Sequence, residues 1–278
     1  MKKIIPLIII LSVFLTSCGG SEKKSDKLQV YTSFYAMYDF ARTIGGDDVE
    51  LYNIVPTGTE PHDFEPTAAD IAKLNKADVF IYNGGIDEWA EKVADTLPET
   101  VSIIRASDLI NADGADPHVW LNLYNAQMQS EAIYKAFSTA DSVNSQKYLE
   151  RLTDYSAKID ELENEYENAG LSGKKIFVTH GAYGYLCEEF GMEQIALEGI
   201  SGDSDPSPAQ MGKIVDQIKA EGANCIFYDP LEGDKMANAV ANEAGAEALP
   251  LYTFEGDSEI RDYVTIMQLN LEQLKKVN

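Results

Sequence analysis

Leu28-Gln29-Val30-Tyr31-Thr32-Ser33 opens a stretch that continues through residues 34–44, Gly45-Gly46 and residues 49–55. The first and third pieces are rich in β-formers, and the middle one is a helix that the glycine pair stops. A second short helix over 67–75 follows, and then Ala77-Asp78-Val79-Phe80-Ile81-Tyr82-Asn83, a third strand ended by Gly84-Gly85. Strands alternating with helices at this spacing predict a parallel sheet in an α/β fold. Such sheets carry their ligand loops beyond the carboxyl ends of the strands.

Downstream, the spacing predicts a strand at 101–105, a polar loop at 107–115 and a helix at 124–138. The best periodic segment runs from Ser145 to Asn168, with apolar residues at Tyr148, Leu152, Tyr155, Ile159, Leu162 and Tyr166 and charged residues between them. It reads as one amphipathic helix of about 36 Å at ~1.5 Å per residue, lying across two domains as a strut. After Gly170 the grammar of the first half returns. Strands are expected at 175–179, 193–197, 225–228 and 248–251, and helices at 182–190, 207–221, 234–244 and 260–276. Ser207-Pro208 is a helix start, with the serine as cap and the proline in the first turn.

The chain has three histidines, each in a separate segment. His62 lies in Val55-Pro56-Thr57-Gly58-Thr59-Glu60-Pro61-His62-Asp63-Phe64-Glu65-Pro66, where proline and glycine stop helix and strand alike. His118 follows Asp116-Pro117, and His180 comes straight after the apolar run Ile176-Phe177-Val178-Thr179. None lies on an apolar helix face. Three loop histidines with acids nearby are what a closed metal site needs, because zinc takes about four ligands and imidazole nitrogen suits it.

The N-terminus reads as a secretory signal over residues 1–17, with Lys2 and Lys3 ahead of an apolar core too short for a stable membrane span. Leu15-Thr16-Ser17-Cys18 resembles a bacterial lipobox, which makes Cys18 the lipid-modified first residue of the mature protein. Residues 18–27 then form a flexible polar tether. The protein is thus expected to be exported and lipid-anchored to the outer face of the cell membrane, or to face the periplasm. The formal net charge of −24 argues against nucleic acid and against lying on anionic lipid. Cys187 and Cys225 sit at core-like positions without the spacing of a zinc-thiolate motif; an exported pair could bridge, and two buried thiols fit equally.

Several of these segments together resemble one family, the metal-binding lipoproteins of bacterial zinc and manganese ABC importers. The carriers are the 56–66 loop, residues 77–85 with Trp89, and Asp116-Pro117-His118-Val119-Trp120-Leu121. Further carriers are Thr179-His180-Gly181-Ala182-Tyr183-Gly184-Tyr185-Leu186, Pro206-Ser207-Pro208 and residues 263–271. The resemblance covers essentially the whole mature chain. It implies two α/β lobes of parallel sheet, 28–142 and 170–278, joined by one long rigid helix within 143–169, with a single metal in the interlobe cleft. His62 and His118 would come from the first lobe and His180 from the second. The fourth ligand would be an acid shortly before the last helix: Glu255, with Asp257 in reserve and Glu60 as an outer-shell neighbour of His62. Three imidazoles and a carboxylate favour Zn²⁺ over Mn²⁺, although the loop at 107–115 lacks the histidines that many zinc members carry there, which leaves Mn²⁺ as the alternative. The implied partners are an ABC permease and its ATPase, with the chain itself a monomer. A zinc hydrolase would need an open coordination position and a general base, and neither His-Glu-x-x-His nor Gly-x-Ser-x-Gly occurs. A surface adhesin is a further alternative on which the sequence is silent.

Overall fold

The computed structural model describes residues 27–110, 116–199, 206–256 and 262–278. The signal segment, Cys18 and Asp257 lie outside the described residues. Strands β1 (Leu28–Thr32), β2 (Val49–Asn53), β3 (Val79–Tyr82) and β4 (Ser102–Arg105) form one sheet in the order β2-β1-β3-β4. Strands β5 (Lys175–Val178), β6 (Glu193–Ala196), β7 (Cys225–Tyr228) and β8 (Glu247–Pro250) form a second in the order β6-β5-β7-β8. Every pairing is parallel, and the two orders are the same pattern repeated. All four residues of β3 are buried, as are three of four in β5 and in β7. That is why these strands read as continuous apolar runs rather than as alternating ones.

Helices α1 (Tyr35–Gly45), α2 (Ala68–Leu74), α3 (Glu88–Ala94) and α4 (Leu123–Ala140) accompany the first sheet, and α5 (Ser145–Glu167) follows. Helices α6 (Gly184–Phe190), α7 (Pro208–Glu221), α8 (Lys235–Ala244) and α9 (Tyr263–Leu274) accompany the second. Two starts carry capping boxes: Thr67 with Asp70 on α2, and Ser207 with Gln210 on α7. The expected start of α6 at 182 shifts to Gly184, because Gly181 to Tyr183 continue the loop from His180 and the Tyr183 amide donates to Gln194 Oε1 at 2.7 Å. Helix α3 is absent from the sequence reading; seven residues after a glycine pair are too few to display a helical period.

Helix α5 buries the residues that its period singles out: Tyr148, Leu152, Tyr155, Ile159, Leu162 and Tyr166. Near its start, Arg151 Nη1 donates to the Gly45 carbonyl (2.6 Å), satisfying an orphan acceptor at the end of α1, and Arg151 pairs with Asp48. Near its end, the Tyr166 hydroxyl donates to the Met267 carbonyl of α9 at 2.7 Å. The strut is thus fastened to α1 at one end and α9 at the other. A single buried apolar cluster runs from Val30 to Val277 and includes residues of both sheets, while a smaller one lies under α7 and α8.

Candidate metal centre

The carboxyl ends of the two sheets face a common space, and the chain leaves the strands there in four loops. His62 follows β2, His180 lies two residues beyond β5, and Glu255 lies five beyond β8. His118 immediately precedes a 3-10 turn, Val119–Leu121, that leads into α4. One donor atom from each of His62, His118, His180 and Glu255 falls within 4.8 Å of all the others. His118, His180 and Glu255 are buried, and His62 is partly exposed. His62 Nε2 and His118 Nε2 stand 3.3 Å apart, and His118 Nε2 and Glu255 Oε1 3.0 Å apart. Two donors ~2.0–2.1 Å from one tetrahedral ion lie about 3.3 Å apart, so these edges fit such an ion. Both Glu255 oxygens are buried without a hydrogen bond of good geometry among the described residues. A carboxylate so placed costs several kcal/mol unless a cation answers it, by an order-of-magnitude reckoning.

Each donor is held by its own local chemistry. Asp116 Oδ1 accepts from both the His118 amide (2.9 Å) and His118 Nδ1 (2.7 Å), which leaves Nε2 with its lone pair toward the cluster. Pro117 is held in turn, since Asn83 Nδ2 donates to its carbonyl (3.0 Å) and Gln129 Nε2 donates to Asn83 Oδ1 (2.7 Å). Buried Asp87 accepts from the amides of Asn83 and Gly84 at 2.9 and 2.7 Å and from the Ser33 hydroxyl. Gly85 adopts φ +87°, and a Cβ there would sit 2.9 Å from Pro117 Cβ. The glycine at the end of β3 is therefore required by both conformation and space.

In the second sheet, Glu232 Oε1 lies 3.0 Å from His180 Nδ1. Asp229, just past β7, accepts from the Leu231 amide (2.9 Å), the Thr253 amide (3.2 Å) and the Thr253 hydroxyl, and so fixes the Glu255 loop. Trp120 Nε1 donates to the Thr253 carbonyl at 2.8 Å, tying that loop to the His118 segment. Between them Phe254 takes φ +64°, the one non-glycine residue in the left-handed region among those described. Its ring packs edge-on against Tyr35 and Tyr263. That packing holds a backbone conformation L-residues seldom adopt, and the turn aims Glu255 inward.

Charge follows this geometry. Burial alone would lower the basicity of His118, yet Asp116 and Glu255 outweigh it and raise the ring above its ordinary value. Burial would raise the Glu255 carboxyl, but His118 and then the other two histidines hold it below the usual range. Glu60 moves the other way, pushed up by burial and by the charge of Glu255. It stands outside the four-donor group; its Oε1 accepts from the His62 amide at 3.2 Å. A cleft of about 690 Å³ opens beside the cluster, with Gly58, Glu60, Asp63, Thr179, Glu198 and Glu232 in its lining.

Of the residues expected at the site, His62, His118, His180 and Glu255 come together, Glu60 stands outside that group, and Asp257 lies outside the described residues. Asp116, Asp229 and Glu232 were missed as supports. Asp116-Pro117 and Asp229-Pro230 share a signal, an Asp-Pro at the entry to a site loop. Glu232 has none.

Residues 30–277 match the family described as "Zinc-uptake complex component A periplasmic", ZnuA. The chain belongs to that family. The high-affinity zinc uptake system protein ZnuA of Bacillus subtilis is 33% identical over 310 residues, covering 99% of this chain and 97% of that protein. The Zn(II)-bound ZnuA-like domain of Streptococcus pneumoniae AdcA superposes with a TM-score of 0.81 at 29% identity, covering 90% of this chain and 98% of that one. The laminin-binding protein Lmb of Streptococcus agalactiae, described as a bifunctional protein with adhesin and metal transporting activity, does so with a TM-score of 0.83 at 29% identity, covering 90% and 98%. The ZnuA family comprises solute-binding components of ABC zinc-uptake systems and not enzymes, so the hydrolase alternative falls. The two four-stranded parallel sheets with a His₃Glu group between them are the architecture expected of it. Among the described residues no helix is long and apolar enough to cross a membrane. Cys187 and Cys225 are free, buried thiols.

Proposed function

We propose that this chain captures Zn²⁺ outside the cytoplasmic membrane and delivers it to an ABC permease driven by its ATPase. His62, His118, His180 and Glu255 are the ligands in this reading, with Glu60 in the outer shell. Cys18 carries the lipid that holds the protein at the membrane. Lobes 28–142 and 170–278, joined by the linker 143–169, flank the ion on either side. The observation that carries the proposal is the cluster of three imidazoles and one carboxylate, three of the four residues buried, with donor atoms within 4.8 Å of one another and two of the edges at 3.3 and 3.0 Å. Four protein donors leave no open position for a reacting water, which suits carriage. Nitrogen-rich donors and the affinity order of divalent ions favour zinc over manganese.

Mn²⁺ is the second reading, supported by the short, histidine-free loop at 107–115. Titration of metal-stripped protein with Zn²⁺ and Mn²⁺ in competition, alongside His180→Ala and Glu255→Ala, tests both. One tight zinc site weakened by each substitution is the expected result. Tighter Mn²⁺ binding would transfer the proposal to manganese, and binding of neither would sink it.

A further inference from the structure

His180 reaches the site from one sheet and His118 from the other, so the gap between them depends on how the two halves are fixed together. Helix α6 begins four residues after His180 and crosses to the His118 side at both ends. At its first residue, Gly184, a Cβ would lie 2.7 Å from Asp116 Oδ2, so the helix backbone abuts the carboxylate that orients His118. At its far end, Glu189 accepts from the backbone amides of Leu123 (2.8 Å, Oε2) and Tyr124 (3.3 Å, Oε1). Those are the first two amides of α4, the helix that leaves the turn beginning at His118. They are groups a helix cannot satisfy by itself. The local cap Asn122 serves only the Asn125 amide, at 2.8 Å.

The same device recurs in the opposite sense. Asp39 of α1 is fully buried and accepts from the amide of Tyr263, the first residue of α9, at 2.9 Å, while the local cap Asp262 serves Thr265 at 3.0 Å. Each half thus sends a carboxylate onto the N-terminus of a helix belonging to the other, where the helix dipole favours negative charge.

We propose that α6 is the spacer that sets the distance between His118 and His180, and that Glu189 is a positioning residue for metal retention. Glu189 touches neither the ion nor its ligands and acts through the α4 cap. The inference rests on the metal-carrier reading above.

The test is release of Zn²⁺ from loaded full-length protein into excess chromogenic chelator, for wild type, Glu189→Ala, Glu189→Gln and Gly184→Ala. Co²⁺ substitution supplies a spectroscopic measure of ligand geometry in each. Glu189→Ala is expected to release zinc about tenfold faster, the scale of lost outer support, and to change the Co²⁺ visible bands. Glu189→Gln keeps one acceptor oxygen and should fall between wild type and alanine. Gly184→Ala leaves Glu189 intact but drives a methyl into Asp116, and it should speed release even if Glu189→Ala fails to fold. Release within about twofold of wild type in every folded variant, with unchanged Co²⁺ bands, would overturn the proposal even where melting temperatures drop. Wild type that binds no metal would instead bring down the carrier reading, and this inference with it.

Discussion

Asp116 accepts twice from one residue, binding both the amide and the ring Nδ1 of His118. That double acceptance chooses the tautomer and the ring plane together, so Asp116→Ala should weaken metal binding by about 10–100-fold while leaving one ion per chain, as competition titration would measure. Asp116→Asn keeps an acceptor and should lose less. The pairing is a matter of two residues in sequence, and its members stand in the Asp-Pro-His motif. The three histidines of the cluster were legible for a similar reason: a histidine among prolines or at the end of an apolar strand has no core role to explain it, whereas Glu255 came from the family resemblance alone. Phe254 was not legible. Its φ of +64° arises from rings at Tyr35 and Tyr263 that lie far away in the chain, and local sequence carries no trace of that.

Helix α5 was read from its period alone, and each apolar position on that period is buried. Its fastenings were not, because they depend on partners about a hundred residues away: Arg151 on Gly45 and Tyr166 on Met267. Arg151→Ala should therefore cost about 1–3 kcal/mol in urea unfolding, since it strips the end of α1 of a charged donor. Tyr155 makes a contrasting case on the same helix. Its hydroxyl is buried without a hydrogen-bond partner among the described residues, so Tyr155→Phe should be neutral or stabilising by up to about 1 kcal/mol in the same assay. Helix α3 shows the lower limit of periodic reading, for one face of a seven-residue helix offers only Trp89, Ala90, Val93 and Ala94. Nor could the sequence disclose that α6 reaches α4, a contact across 66 residues made by one carboxylate.

At the scale of the molecule, the two sheets share one apolar cluster that includes the strut. Wide opening would break that cluster, so metal addition should alter hydrogen exchange only around the His62 and Glu255 loops and leave α5 unchanged. Acidity acts on the whole in two opposed ways. Burial foremost pushes Asp39 up to about 6, and Glu189 and Asp229 up to about 7. Between the unfolded carboxyl range near ~4 and these values the folded state holds more protons, so stability rises as pH falls and is lost as pH climbs through them. His118, raised by its acids, adds in the same sense: its contribution is full below about 6.5 and fades as pH passes its folded value. Metal-free protein should accordingly melt higher at about pH 5.5 than at about pH 8 by scanning calorimetry. Zinc affinity should run the other way, falling as pH drops and protons compete for the imidazoles, His118 foremost because its acids raise it. The burial of the donors has a kinetic meaning as well. Three of the four donors are sealed and only His62 borders solvent, beside Glu60 and the cleft. Under the proposed carriage, an incoming donor reaches the ion most directly from that flank among the described residues, so His62 is the bond expected to yield first.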